Sequence, residues 1–208
     1  MLPHIALLAA LACPVPQDTR LDVRPPPLEL SSETLQLEDI MAAITAEERD
    51  RVIAGLVSIA EARQAGRTEI IAGVPGYRQN FDLEEGGYCA RLMRQGLEAF
   101  LPRHPQTLSF KGDDARHMAR KLAGMAGLFG RVGPQDIKPG DILFKLSWLS
   151  AGRYGHVGMY IGDYYGDGRR LVVENTSSGK RGDPLAPGTK LTSLKDFGGI
   201  SQAWRLGP

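Results

Sequence analysis

Cysteine is scarce in this chain, which contains only Cys13 and Cys89 among 208 residues. The two lie far apart and in different settings, so a disulfide framework is not expected. No CxxC or HxxxH pattern brings cysteines and histidines to the spacing of zinc ligands, and no metal or other cofactor is expected. Cys89 is therefore predicted to be a free thiol, and an isolated thiol is ordinarily an inert core residue.

An excess of charge of either sign is missing as well. The chain carries 25 basic and 24 acidic residues, well mixed along its length, for a formal net charge of +1. A nucleic-acid-binding protein needs a basic surface that displaces counterions from phosphates. Nucleic acid is therefore not an expected partner. The glycine-rich stretch at 162–168 lacks the spacing of a P-loop, so a nucleotide site of that class is not expected either.

Long hydrophobic runs are also missing, and the N-terminal run at residues 5–12 is too short to cross a membrane, which takes ~20 residues. A short apolar run that ends in small residues resembles a secretory signal. The tetrapeptide at 10–13 loosely resembles a lipoprotein box, in which Cys13 would be lipidated. Export to the cell envelope or the medium is therefore expected, with membrane contact only if Cys13 carries lipid. A small apolar arm is the alternative, because no Lys or Arg precedes the run.

The remaining composition, 42% hydrophobic and 24% charged, is typical of a globular protein. The length fits one domain with extensions better than two domains. Residues 1–30 are interpreted as a leader and a linker that contains Pro25-Pro26-Pro27. Residues 31–75 are predicted to form a helical N-terminal extension, and residues 76–208 the main domain, which is expected to be monomeric.

Helices are predicted in the first part of the chain. Thr45 and Glu48 have the spacing of a capping box, and the apolar residues that follow recur at helical intervals until Gly66. Residues 31–43 are predicted to hold a short helix and residues 77–87 a loop. A second clear helix begins at Cys89 and runs to Leu101 before Pro102. A third is expected from a cap at 113 or 114 to about residue 126.

Strands are predicted after residue 138. The turn at 138–141 leads into a short strand at 142–144, and further strands are expected at 155–162 and 171–175, with one or two more in the tail. In the second strand, period-two alternation places His156 and Tyr160 on one face and the apolar side chains on the other. Helices followed by an antiparallel sheet predict an α+β fold.

Cys89 and His156 are the candidates for chemistry. A cysteine at the first turn of a helix lies in the positive field of unpaired N–H groups, which favours the nucleophilic thiolate. The same N–H groups can stabilise an oxyanion. Among four histidines, only His156 lies on a strand whose opposite face is apolar, which would aim it inward as a general base. His117 lies between charged residues and is expected to be solvated.

A histidine base needs a group that orients its ring. Glu174 and Asn175 interrupt the apolar run of the third strand, and because they are adjacent only one can face His156. Either can accept the Nδ1–H and fix the tautomer. The alternative is that both residues end the strand as turn residues before the Ser-rich segment.

Three segments of the second half resemble the NlpC/P60 superfamily and the related CHAP amidases. They are KPGDILF at 138–144, GHVGMYIG at 155–162 and VVENTSSG at 172–179, together with a cysteine at a helix start. The resemblance covers roughly residues 76–208 and implies a papain-like fold, with Cys89 as nucleophile and His156 as base. The orienting residue falls on Glu174, or on Asn175. Tyr77 and Tyr88 are the candidates for substrate contacts.

The resemblance implies a cysteine peptidase or amidase that cleaves amide bonds in the stem peptides of peptidoglycan. The chain departs from the usual pattern around the nucleophile, where Tyr88-Cys89-Ala90 replaces the common Asp-Cys-Ser. Two alternatives remain. One is a non-catalytic module on the same fold that binds or assembles the cell envelope, and the other is a cysteine amidase or acyltransferase with a different substrate.

Overall fold

The computed structural model describes residues 44–74, 77–101, 114–125, 129–147, 154–177 and 183–207. The leader, the linker and the predicted helix at 31–43 lie outside these residues. The described helices are α1 (Ala46–Gln64), α2 (Cys89–Phe100), α3 (Ala115–Ala123) and α4 (Leu194–Phe197). The described strands are β1 (Glu69–Val74), β2 (Tyr77–Asp82), β3 (Phe129–Val132), β4 (Ile142–Lys145), β5 (His156–Gly162), β6 (Leu171–Thr176), β7 (Gly188–Ser193) and β8 (Gln202–Leu206).

Helix α1 begins at the predicted capping box. The backbone N–H of Thr45 donates to Glu48 Oε2 over 2.8 Å, and the backbone N–H of Glu48 donates to Thr45 Oγ1 over 3.2 Å. These two bonds satisfy donors that the first turn leaves without partners. Gly66 follows the helix with a φ of 79°, the left-handed geometry expected of a residue just beyond a helix end. The prediction of this helix is confirmed.

A strand, β2, replaces the first part of the loop predicted at 77–87. It pairs antiparallel with β1 in register, with Ile71 opposite Asn80 and Ile70 opposite Phe81. The predicted loop was wrong because the segment YRQNFD has no apolar alternation that marks a strand. Pairing with β1 supplies its backbone hydrogen bonds, and Phe81 alone anchors its described inward face.

The larger sheet contains six strands in the order β3-β8-β4-β5-β6-β7, and every pair of neighbours is antiparallel. The three central strands predicted from sequence are confirmed, and the tail, for which one or two strands were predicted, forms two. The protein is thus an α+β protein, with the described helices α1 and α2 before the sheet and α3 just ahead of its strands.

The two faces of the sheet have different coverings. One face carries Val157, Met159 and Ile161 into the main core, which they share with the buried sides of α1, α2 and α3. The opposite face carries Tyr160 into a second cluster around Phe197 of α4. The alternation predicted for β5 is confirmed, and it sets His156 on the side of the sheet that α4 covers.

Residues 44–74, within the predicted N-terminal extension, contribute to the main core. Val52, Leu56 and Ile59 of α1 and Ile70 of β1 are buried in the same cluster as the sheet residues. This part of the extension is also not wholly helical, because it ends in β1. Among the helices that the structure describes, none has the length and apolar character that crossing a membrane would require.

Candidate active site

The start of α2 places Cys89 against the sheet. Cys89 is the first residue of the helix and is a free thiol, 6% exposed. Helix α2 packs on β5 and β6, with Leu92, Met93 and Leu97 buried in the main core. This packing explains why the helix forms where the apolar spacing predicts it. The N–H groups of its first turn have no acceptors within the helix, and they lie at the same end of the helix as the thiol.

Asn175 holds the loop that leads into this helix. Its Oδ1 accepts a hydrogen bond from the backbone N–H of Tyr88 over 3.0 Å. Its Nδ2 donates to the carbonyl of Glu85 over 2.7 Å and to Thr189 Oγ1 over 3.2 Å. Asn175 is 3% exposed, so these bonds satisfy an amide that water does not reach. The side chain thus fixes the residue immediately before Cys89.

His156 connects the thiol to Glu174. Cys89 and Glu174 are the two partners that raise the pKa of the ring, and its Nε2 lies 2.6 Å from Glu174 Oε2. Since Nε2 is used by the carboxylate, Nδ1 is the ring nitrogen left for the thiol. The sequence-based expectation assigned Nδ1 to the orienting residue, and the structure reverses that assignment.

The carboxylate of Glu174 is held from both ends. Its Oε2 contacts His156, and its Oε1 accepts the hydroxyl of Thr192. The Lys190 ammonium lies 3.9 Å from Oε1 and forms a closer ion pair, 2.6 Å, with Asp183. Burial raises the pKa of Glu174, but the hydrogen bonds from His156 and Thr192 and the charges of His156 and Lys190 outweigh it and lower the pKa. Glu174 is therefore ionised at neutral pH.

The protonated form of His156 is favoured by its two partners. Burial alone lowers the pKa of the ring, but hydrogen bonds and charge interactions with Cys89 and Glu174 reverse the shift and raise the pKa to about 9. At neutral pH the ring is thus an imidazolium that lies between a sulfur and a carboxylate. This arrangement can deliver a proton to a leaving group and keep the sulfur available as a nucleophile.

The two predicted orienting residues face opposite sides, as adjacent strand residues should. Glu174 reaches the His156 ring and Asn175 does not. Tyr88 is the residue before α2, and its ring lies under the Arg91 guanidinium at 3.9 Å. Tyr77 begins β2, but its side chain lies outside what the structure describes. The structure therefore brings together Cys89, His156 and Glu174.

A polar pocket of about 120 Å³ lies beside the start of α2. It is bounded by the end of β2, the loop before α2 and one side of that helix. Its walls are Asn80, Phe81, Asp82, Glu85, Tyr88, Arg91, Leu92, Gln95, Asn175 and Thr189. Within it, the Arg91 guanidinium is 3.3 Å from the Glu85 carboxylate. The pocket is next to Cys89 along the chain and presents both charge signs.

Three residues near the triad were not predicted from sequence. Thr192 faces Glu174, Phe197 stacks on His156 with ring centroids 5.5 Å apart, and Lys145 lies opposite His156 across the ladder. All three belong to strands or a short helix whose pairing determines what they touch. The one available signal was Lys145, a charged residue directly after the apolar run of β4.

The described residues contain no group of three or more His, Cys, Asp or Glu side chains placed to hold a metal ion. His117 lies in α3 and is not part of the site. It was expected to be solvated, but its Nε2 is buried without a hydrogen-bond partner among the described residues. Helix α3, which carries His117, packs against α2 and the sheet.

Comparisons with known proteins return no match: no family model, no curated protein and no solved structure matches this chain.

Proposed function

We propose that the protein is a cysteine hydrolase that cleaves amide bonds in peptidoglycan stem peptides, as an endopeptidase or an amidase, on a papain-like fold of the NlpC/P60 type. The observation that carries the proposal is the 2.6 Å contact of His156 Nε2 with Glu174 Oε2, together with the helix-start thiol of Cys89, which acts on the same ring. A nucleophile, a base and a group that orients the base are the minimum for this class of covalent catalysis.

In the first half of the reaction, the Cys89 sulfur attacks the carbonyl carbon of the scissile amide and forms a carbon–sulfur bond. The carbonyl oxygen becomes an oxyanion, which the N–H groups of the first turn of α2 can stabilise. The imidazolium of His156 then gives its Nδ1 proton to the amide nitrogen. The carbon–nitrogen bond breaks, the amine leaves, and the acyl group remains on sulfur as a thioester.

In the second half, water replaces the amine. Neutral His156 takes a proton from the water at Nδ1 while the water oxygen attacks the thioester carbon. The carbon–sulfur bond breaks, which releases the carboxylic acid and restores the thiolate and the imidazolium. Glu174 stays ionised throughout, and its bond to Nε2 holds the ring in the orientation that both proton transfers need.

The substrate class is supported by the resemblance of three segments of this chain to the NlpC/P60 and CHAP families. The residues that carry the resemblance include His156 and Glu174, which lie in the contact described above. The polar pocket beside Tyr88 contains both acidic and basic groups, as a stem peptide rich in free amino and carboxyl groups would require. In this proposal the pocket, whose walls include Tyr88 but not Cys89, binds a charged part of the peptide.

The test is digestion of purified peptidoglycan sacculi, with released fragments identified by mass spectrometry. The parent protein should release peptide fragments whose new ends name the bond, and Cys89→Ala should release none while its circular dichroism is unchanged. Cys13→Ser is the matched control, because it removes the other thiol and should cleave like the parent. Full activity of Cys89→Ala would refute the mechanism.

Two other outcomes would redirect the assignment. If no fragments appear but iodoacetamide alkylates Cys89 rapidly at neutral pH, the nucleophile stands and the substrate is a different amide or acyl group. If the thiol is inert as well, a binding or assembly module on the same fold is the better assignment. Comparison with Cys89→Ala identifies which alkylation belongs to this residue.

A further inference from the structure

Lys145 ends β4 directly opposite His156, because the antiparallel register pairs these two residues. Residues that face each other in an antiparallel ladder project on the same side of the sheet. Lys145 is partly buried there, and its Nζ donates a hydrogen bond of 2.7 Å to the backbone carbonyl of Phe197. The ammonium group is therefore held beside the candidate active site.

The ring of Phe197 joins Lys145 to His156. The Lys145 Nζ lies 4.3 Å from the ring centroid, and the same ring stacks against the imidazole with centroids 5.5 Å apart. Phe197 is 3% exposed, so water is largely kept from the space between them. A charge in such surroundings is screened much less than one at the surface.

The charged groups around Lys145 are those of the proposed reaction. Burial lowers the pKa of Lys145, while attraction to Glu174 and to Cys89 opposes that effect and repulsion from Lys190 adds to it. On α4, the covering helix, Lys195 and Asp196 are exposed to solvent. The charges that act on Lys145 therefore come from β6, from the start of α2 and from β7, and the His156 imidazolium of β5 lies opposite it in the ladder.

The balance of charges at the candidate active site explains what the partly buried Lys145 contributes. A Cys89 thiolate and the Glu174 carboxylate together carry two negative charges, and protonated His156 supplies one positive charge. Lys190 is 2.6 Å from Asp183 and 3.9 Å from Glu174, so its charge is already largely matched by Asp183. Lys145 supplies the second positive charge on the side of the sheet where the site lies.

We propose that Lys145 is a positioning residue whose fixed positive charge stabilises the Cys89 thiolate beside the His156 imidazolium. The inference rests on the proposed function in that Cys89 is taken as the nucleophile. Lys145 acts through Cys89 and need not touch substrate. A purely structural lysine would support folding without changing the pH at which the thiolate forms.

The experiment follows the ultraviolet absorbance of the thiolate against pH, with the signal of Cys89→Ala subtracted to isolate this thiol. Lys145→Met removes the charge with little change in length, and Lys145→Gln removes it while keeping a donor for the Phe197 carbonyl. Both should raise the midpoint of thiolate formation by about half a pH unit or more. Lys145→Arg keeps the charge and should leave the midpoint near that of the parent.

Lys138→Met is the matched control, because it removes an exposed charge at the opposite end of β4. Its midpoint should equal that of the parent. The inference is overturned if Lys145→Met or Lys145→Gln, folded by circular dichroism, shows the parent midpoint. The readout is independent of hydrolysis, so a shifted midpoint without any cleavage of sacculi would reject the proposed function alone. Cleavage with an unshifted midpoint would reject the role of Lys145 alone.

Discussion

Nε2 of His156 lies 2.6 Å from Oε2 of Glu174, and both side chains are largely buried on the face of the sheet that α4 covers. A hydrogen bond between two charged, desolvated groups is stronger than a neutral one. The bond also occupies Nε2 and leaves Nδ1 for Cys89. A single contact therefore sets both the protonation of Nε2 and the orientation of the ring. The pKa of the ring should therefore depend on Cys89, which contributes most to raising it, and on Glu174, which contributes next.

Replacing Glu174 with Gln should lower the pH above which activity is lost. His156 has its pKa raised to about 9, so kcat/KM of the parent should fall as the imidazolium is lost near that pH. Gln keeps a hydrogen-bonding group but not the charge, and a hydrogen bond to a charged group contributes about 1.5–3 kcal/mol. The pH at which kcat/KM falls on the basic side should therefore decrease by about one to two pH units.

The measurement is the pH dependence of kcat/KM on a stem peptide, with the ring of His156 followed by NMR in parallel. Asp183→Asn is the control, because it removes a carboxylate that pairs with Lys190 and does not contact His156. If the His156 ring of Glu174→Gln titrates at the same pH as that of the parent, the assigned cause of the raised pKa is contradicted.

The stability of the protein in acid should depend on the same carboxylate. Folding lowers the pKa of Glu174 from its usual 4.5, so its ionised form stabilises the folded state above that pH. This contribution is lost as the pH falls through the folded-state pKa. The free energy of unfolding of the parent should exceed that of Glu174→Gln at neutral pH, and the gap should close below pH 4.5. Urea unfolding at a series of pH values measures this difference in the free energy of unfolding. A difference that stays constant down to acid pH would contradict the prediction.

The residue patterns alone could not decide whether Glu174 or Asn175 orients His156. Their opposite directions follow from strand geometry alone, but the choice between them depends on the register of β5 with β6. Gly162 pairs with Leu171, whereas Tyr160 pairs with Val172, so Ile161 is an extra residue on β5. This extra residue forms a β-bulge. If residues were paired one to one from the hairpin, without the bulge, Gly158 would lie opposite Asn175. The bulge sets Gly158 opposite Glu174. Gly162, with a φ of 69°, follows the extra residue, but a glycine at the end of a strand does not by itself reveal a bulge.

The helices and strands near the site were predictable for a physical reason. The capping box of α1, the apolar spacing of α2 and the alternation of β5 are local signals that agree with the packing. The pairing of β2 with β1, and the approach of Lys145 and Phe197 to His156, are not local. They depend on which strands become neighbours, and composition within each segment carries no information about that.

Asn175 should affect catalysis through Cys89 rather than through His156. Asn175→Ala removes the acceptor for the Tyr88 N–H and the donor for the Glu85 carbonyl, which leaves both groups unpaired near the start of α2. The cost is about 1–3 kcal/mol of folding free energy, together with a lower kcat. The NMR midpoint of His156 should stay close to that of the parent, because Asn175 does not touch the ring. A midpoint that moves as far as in Glu174→Gln would show that Asn175 acts on the base.

Gly158 should tolerate no side chain. A Cβ at this position would lie 2.7 Å from Val172 Cγ1, 2.8 Å from the Val173 carbonyl oxygen and 3.1 Å from Phe197 Cε2. The first two distances are too short for contact, and the backbone of β6 cannot move without disturbing the ladder. Gly158→Ala should therefore destabilise the protein by about 1–3 kcal/mol, measured by urea unfolding.

The matched control for Gly158 is Gly124→Ala, because among the described residues a Cβ there would approach only the Lys121 carbonyl oxygen, at 3.4 Å, and the backbone of Gly124 is right-handed. That variant should have the stability of the parent or slightly more, since alanine restricts the unfolded chain. Gly158→Ala should also push Phe197 away from His156, which stacks on the same ring, and lower activity more than the loss of stability accounts for. Equal stability of Gly158→Ala and Gly124→Ala would mean that β5 and β6 do not approach each other as closely as the register requires.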